Sequence, residues 1–178
     1  MYRHPIRAMF VFAALLAALV LASVPAAART TPFSFSYDGT ETESPCGFPV
    51  EYDDVGTAIG RASESRFELT NAGTATYTNL ANGLSVTVQY ETLFKNLNQV
   101  DNGDGTISFD ATAVGASTMY SASGDVLLRD HGPVTTHLTI MPTETGPLFV
   151  SAEVVFEHGA HPDFCQALTA AIGPGVTP

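Results

Sequence analysis

Beyond residue 30, apolar and polar residues alternate with a period of two along most of this chain, which is the mark of strands with one buried face. Phe33, Phe35 and Tyr37 alternate with serines, and Phe48, Val50 and Tyr52 alternate with Pro49 and Glu51. The pattern returns at Leu84, Val86, Val88 and Tyr90, and at Ile107 and Phe109. It returns again at Val134, Thr136, Leu138 and Ile140, and at Leu148, Val150, Ala152, Val154 and Phe156. Shorter strands are expected at Arg66–Thr70, Thr74–Leu80, Ser117–Ser121 and Val126–Asp130. Between them lie Asn71-Ala72-Gly73, Asn82-Gly83, Asn102-Gly103-Asp104-Gly105, Ser123-Gly124-Asp125 and Thr145-Gly146-Pro147. These residues supply the positive φ that tight hairpins need.

Strands joined by short hairpins are antiparallel. About nine of them, each with one apolar face, close most simply on themselves or on each other. The expected fold is all-β: an antiparallel up-and-down barrel of the lipocalin-like kind, or as second choice a β-sandwich. The tail departs from the pattern. Phe164, Leu168 and Ile172 recur every fourth residue, Pro162 suits a helix start, and Gly173-Pro174 stops it, so one short C-terminal helix is expected.

The first 28 residues read differently. Arg3 and Arg7 form a basic start, Ala8–Val24 carries no charge, and Pro25 precedes Ala26-Ala27-Ala28. That order is a cleavable secretory signal, cut between Ala28 and Arg29. The uncharged run sits at the lower edge of what spans a bilayer, but a retained anchor does not usually end in Pro and an A-x-A site. The expected organisation is a signal peptide over 1–28 and a single secreted domain over 29–178, with no membrane attachment after cleavage.

Removal of the signal takes two of the seven cations, so the net charge goes from −11 to −13. Such a surface repels nucleic acid and anionic lipid. The two cysteines, Cys46 and Cys165, are 119 positions apart. In an exported chain an even pair lacking C-x-x-C spacing reads as a disulfide.

Candidate chemistry is sparse. Asp101–Thr106 resembles the start of a calcium loop, but its twelfth position is Thr112 rather than an acid, so a hairpin turn is expected. His158 and His161 have H-x-x-H spacing across a glycine, without the helix face that would aim both at a metal. Asp130 and His131 are neighbours on a strand and should point to opposite faces. Glu153 and Glu157 are expected on one outward face, roughly 13 Å apart, too far for glycosidase chemistry. No G-x-S-x-G elbow occurs, and there is no Trp to form a sugar platform. No catalytic residue, metal ligand or cofactor is assigned.

Cys46-Gly47-Phe48-Pro49-Val50, the glycine-rich turn at Asp101–Thr106 and Cys165-Gln166-Ala167-Leu168 make the chain similar to small secreted β-rich proteins of actinobacteria that have no assigned activity. The resemblance implies export, a disulfide and a β-rich body, and brings no site residue. Three functions stay open. One is a binding module whose inner face of Phe, Tyr, Val and Leu holds a small apolar ligand, or else is packed core. The others are a structural or interaction protein of the cell envelope, and an extracellular enzyme using His131 or His158.

Overall fold

The computed structural model describes residues 31–63, 66–143 and 146–177; the expected signal and its Ala28/Arg29 cut lie outside them. Seven strands follow one another: β1 (Thr31–Glu43), β2 (Val50–Ser63), β3 (Arg66–Asn79), β4 (Ser85–Asp101), β5 (Ile107–Ser121), β6 (Val126–Thr143) and β7 (Gly146–Glu157). A single helix, α1 (Phe164–Ile172), ends the chain. Each strand pairs antiparallel with its sequence neighbours in the order β1 to β7. Among the described residues β1 and β7 do not pair, so the sheet is not closed into a barrel.

Several expected short strands fuse. Arg66–Thr70 and Thr74–Leu80 belong to one β3, and Asn71-Ala72-Gly73 is strand interior rather than a turn. Gly73 faces Gly56 across β2 and Tyr90 across β4. Its missing side chain makes room for a neighbour instead of bending the chain. Ser117–Ser121 likewise continues β5, and Val126–Asp130 continues β6. Asn82-Gly83 and Ser123-Gly124-Asp125 do form hairpin turns, with Gly83 and Gly124 at positive φ, where glycine avoids the Cβ penalty.

The sheet curls about one face, and two apolar clusters fill its ends. One joins Ala58, Phe67, Leu69, Phe94, Phe109, Leu138 and Ile140, with Phe33 of β1 and Phe149 of β7 packed against them. The other joins Val50, Tyr52, Tyr77, Val86, Val88, Met119 and Leu128 with Leu168 and Ile172 of α1. Asp163 caps α1 by accepting from the Gln166 amide at 3.0 Å. Phe164 packs against Tyr77, with ring centroids 5.5 Å apart. The Cys46–Cys165 disulfide, Cα to Cα 5.2 Å, ties the β1–β2 loop to the helix. Asn79 secures the other helix end, donating to the Ile172 carbonyl at 2.5 Å while accepting from the Ala81 amide at 2.8 Å.

Candidate functional site

Alternate residues of β2 facing inward are Tyr52, Asp54, Gly56, Ala58, Gly60 and Ala62. A bulky, acidic start gives way to a row of small residues. Those small positions accept side chains from other strands. Tyr37 of β1 lies over Gly56, and Tyr90 of β4 lies over Gly73, close enough that a Cβ at either glycine would collide with the tyrosine hydroxyl. β1 and β4 are three strand spacings apart, about 14 Å. Two tyrosine side chains laid end to end across bare glycines bridge that span, and their hydroxyls meet at 2.6 Å.

Asp54 anchors the meeting point. Tyr90 donates to its Oδ1 at 2.7 Å and Tyr52 donates to its Oδ2 at 2.9 Å. The Tyr90 proton is thereby committed, so Tyr37 is the donor in the Tyr37–Tyr90 bond. Burial raises all three phenols above their ordinary range, and the Asp54 charge adds to the effect. The tyrosines therefore serve as neutral donors. This polar layer lies between the two apolar clusters.

On the same face, toward α1, stand Glu41 and Glu43, opposite Tyr52 and Val50. Burial, and secondarily the charge of Glu41, pushes the Glu43 carboxyl up to about 7. Glu43 Oε1 is buried without a hydrogen-bond partner, and so is the Tyr77 hydroxyl. Tyr77 stands directly across from Tyr52, with ring centroids 5.0 Å apart.

The raised Glu43 value has a consequence for stability. The folded state favours the neutral carboxyl, so this contribution is complete below the ordinary value of 4.5 and is lost as pH rises through about 7. The carboxyl is only half-buried, so screening reduces the loss to about 1 kcal/mol. Urea midpoints measured from pH 4.5 to pH 8 should fall for the native protein and fall less for Glu43→Gln. Parallel curves would show that Glu43 does not titrate with folding.

The residues singled out in the sequence lie elsewhere. Asp130 faces inward and bonds His161 Nδ1 at 2.8 Å, while His131 faces outward and pairs through its backbone with Ala160. His161 Nε2 lies 3.2 Å from the carbonyl of His158. Among the described residues no three His, Cys, Asp or Glu converge to hold a metal ion. The Asp101–Thr106 carboxylates are engaged in their own turn: Asp101 accepts from the Gly103 amide, and Asp104 accepts from the Thr106 amide and hydroxyl.

Glu153 and Glu157 do not share a face. Val155 is an extra residue in β7, so Glu153 opposes outward His137 while Glu157 opposes inward Val134. His137 in turn bonds Asp110 at 2.8 Å, and Asn98 holds the other carboxylate oxygen at 2.8 Å. This trio is exposed on the outer face. A shallow open depression of about 500 Å³, lined by residues such as Ala72, Gln89, Glu91 and Ala116, also lies on the outer face, with Glu91 as its one acid.

The tyrosine–carboxylate layer had a sequence signal. Tyr52-x-Asp54-x-Gly56-x-Ala58-x-Gly60 shrinks along one strand face, which says that something else must fill the space. What fills it comes from β1 and β4, out of reach of local pattern. No protein-family profile, no curated protein and no solved structure matches this chain.

Proposed function

We propose that the chain is exported and that its mature part is a binding module holding a small, largely apolar ligand in the curl of the sheet. The observation that carries this is the composition of the inner face between the two clusters. On β5 to β7 its side chains are small and remain half-buried or exposed, among them Ala113, Ser117, Val134, Thr136 and Ala152. Across from them lie the tyrosines and Asp54. An apolar trough with a few convergent polar groups is the usual make-up of a ligand site. The curled meander then acts as an open counterpart of an up-and-down barrel, entered where β1 and β7 fail to meet. The disulfide fits an oxidising compartment, no described helix is long and apolar enough to cross a membrane, and the resemblance to secreted actinobacterial proteins points the same way.

Titration with N-phenyl-1-naphthylamine, a neutral apolar fluorophore, tests the reading without interference, since the chain has no Trp. Saturable one-to-one enhancement, displaced by 1-decanol, is expected. Absence of saturable binding by the disulfide-bonded mature domain would refute it.

A second reading, an envelope interaction protein, is favoured by edge strand β7. Its Leu148, Val150, Val155 and Phe156 are all more than half exposed, which is unusual for an unpaired edge.

A further inference from the structure

The ligand site proposed above has a polar end, and its chemistry is one-sided. We propose that this end binds an organic ammonium ion, a protonated amine attached to an apolar body; the inference rests on the binding-module reading.

Glu41, Glu43 and Asp54 face the same inner surface at the α1 end of β1 and β2. None of them pairs with a described basic side chain. Arg66 and Lys95 are engaged with Glu68 on the outer face, and the register places Arg61 and Arg129 on that outer face as well. The described inner face holds carboxylates and no Lys or Arg. Glu43 and Asp54 are half-buried and Glu41 is exposed; carboxylates partly withdrawn from water without a counter-charge carry a desolvation cost, and a bound cation would supply the counter-charge.

Acidity alone would not define a site. The independent observation is Tyr77, which is 0% exposed and whose hydroxyl has no partner. It stands among these groups, raised by burial and then by the charges of Glu43 and Asp54. A fully buried hydroxyl left unpaired costs free energy. This hydroxyl and Glu43 Oε1 are both buried acceptors without a partner, and the Glu43 charge acts on the Tyr77 phenol; ammonium N–H groups require such acceptors. The rings of Tyr37, Tyr52, Tyr77 and Tyr90 form the surround, and aromatic faces attract cations.

Two further facts shape the ligand. The carboxylates do not converge into a metal-holding group, so a bulkier ion fits better than a bare divalent metal. Gly39, directly opposite Asp54, leaves open space on this face: a Cβ there would meet nothing within 4 Å. Through this space the head reaches the carboxylates while an apolar body lies along the trough.

The test uses the mature, disulfide-bonded protein and three probes with one chain and different heads: n-decylammonium, 1-decanol and decanoate, each below its micelle concentration, by isothermal titration. At pH 8 n-decylammonium should bind at least about tenfold tighter than 1-decanol, and decanoate weakest. Glu43→Gln should weaken n-decylammonium about tenfold and leave 1-decanol within about twofold. Gly39→Leu, which fills open space, should weaken n-decylammonium while the far-ultraviolet circular dichroism stays native.

Binding of the amine should also strengthen from pH 5.5 to pH 8, as Glu43 ionises. The groups that act on or feel Glu43 are Glu41 on β1, Tyr52 on β2 and Tyr77 on β3, with Asp54 and Tyr90 further along the same face. The helix contributes only the disulfide-bonded Cys165. Of these phenols, Tyr52, Tyr77 and Tyr90 are raised well above this window. Equal affinities for the three probes, or amine binding indifferent to Glu43→Gln, would overturn the ammonium inference and leave the binding module standing. Failure of all three to bind would overturn both.

Discussion

Replacing Cys46 by serine, or reducing the Cys46–Cys165 bridge, should lower the unfolding free energy by about 4–5 kcal/mol in the chain-entropy account of a loop this long. The bridge spans 119 residues. A domain of ordinary size has only about 5–15 kcal/mol in total, so the reduced protein should sit near the edge of folding. The loss should fall first on α1. Its nine residues are too few to hold a helix alone, and it stays in place through Leu168, Ile172, the Asn79 contact and the disulfide. Urea denaturation with and without reductant measures the loss, and hydrogen exchange locates it. A change under about 1 kcal/mol would mean that packing alone holds the helix.

Gly73→Ala should be nearly as damaging, although it adds one methyl group. Gly73 is not at positive φ, so the backbone itself would accept alanine. The space would not. The added Cβ would lie 2.5 Å from the Tyr90 hydroxyl and 2.7 Å from the carbonyl oxygen of Val55. Tyr90 can swing away only by breaking its bonds to Asp54 and Tyr37, and Val55 belongs to the paired backbone of β2. Overpacking of this kind costs about 1–3 kcal/mol, and leaving buried polar groups unmatched adds about 1–3 more. A combined loss of about 2–6 kcal/mol is expected by chemical denaturation. Tyr90→Phe in the Gly73→Ala background separates the parts: it removes the hydroxyl clash and should recover some of the loss. No recovery would place the penalty on the Val55 carbonyl and on the Tyr90 ring carbon Cζ, which stays 2.8 Å from the added Cβ.

Much of the fold was legible in the sequence because alternation is a local signal. Val86, Val88 and Tyr90, or Leu138 and Ile140, read as inward-facing strand positions and are buried as such. The helix was legible from Phe164, Leu168 and Ile172, and the disulfide from the parity of the cysteines. Strand lengths were not. Asn71-Ala72-Gly73 carries turn residues, and only the tyrosine arriving from β4 explains the glycine. The facing of Glu157 was hidden for a related reason: one extra residue at Val155 reverses everything after it. Glu43 closes a polar Thr-Glu-Thr-Glu run that local pattern does not single out, because the surroundings that bury it come from β2 and β3. The candidate site is thus the part of the molecule that depends most on residues distant in sequence, and it is the part that local reasoning missed.

The meander also has an implication for the order of events as the chain folds. Each strand pairs only with the strand made just before or just after it, so the sheet can grow hairpin by hairpin from its first-made end, closing short loops at each step. The docking of α1 and the Cys46–Cys165 bond are different in kind, because they join the two ends of the domain. Synthesis runs N-terminus first, so Cys46 has no partner until residue 165 follows, 119 positions later. The bridge can close only after the strands between them have been made. A chain lacking its last segment would have a largely assembled sheet, an unsecured N-terminal hairpin loop and one sulfhydryl open to mixed-disulfide exchange.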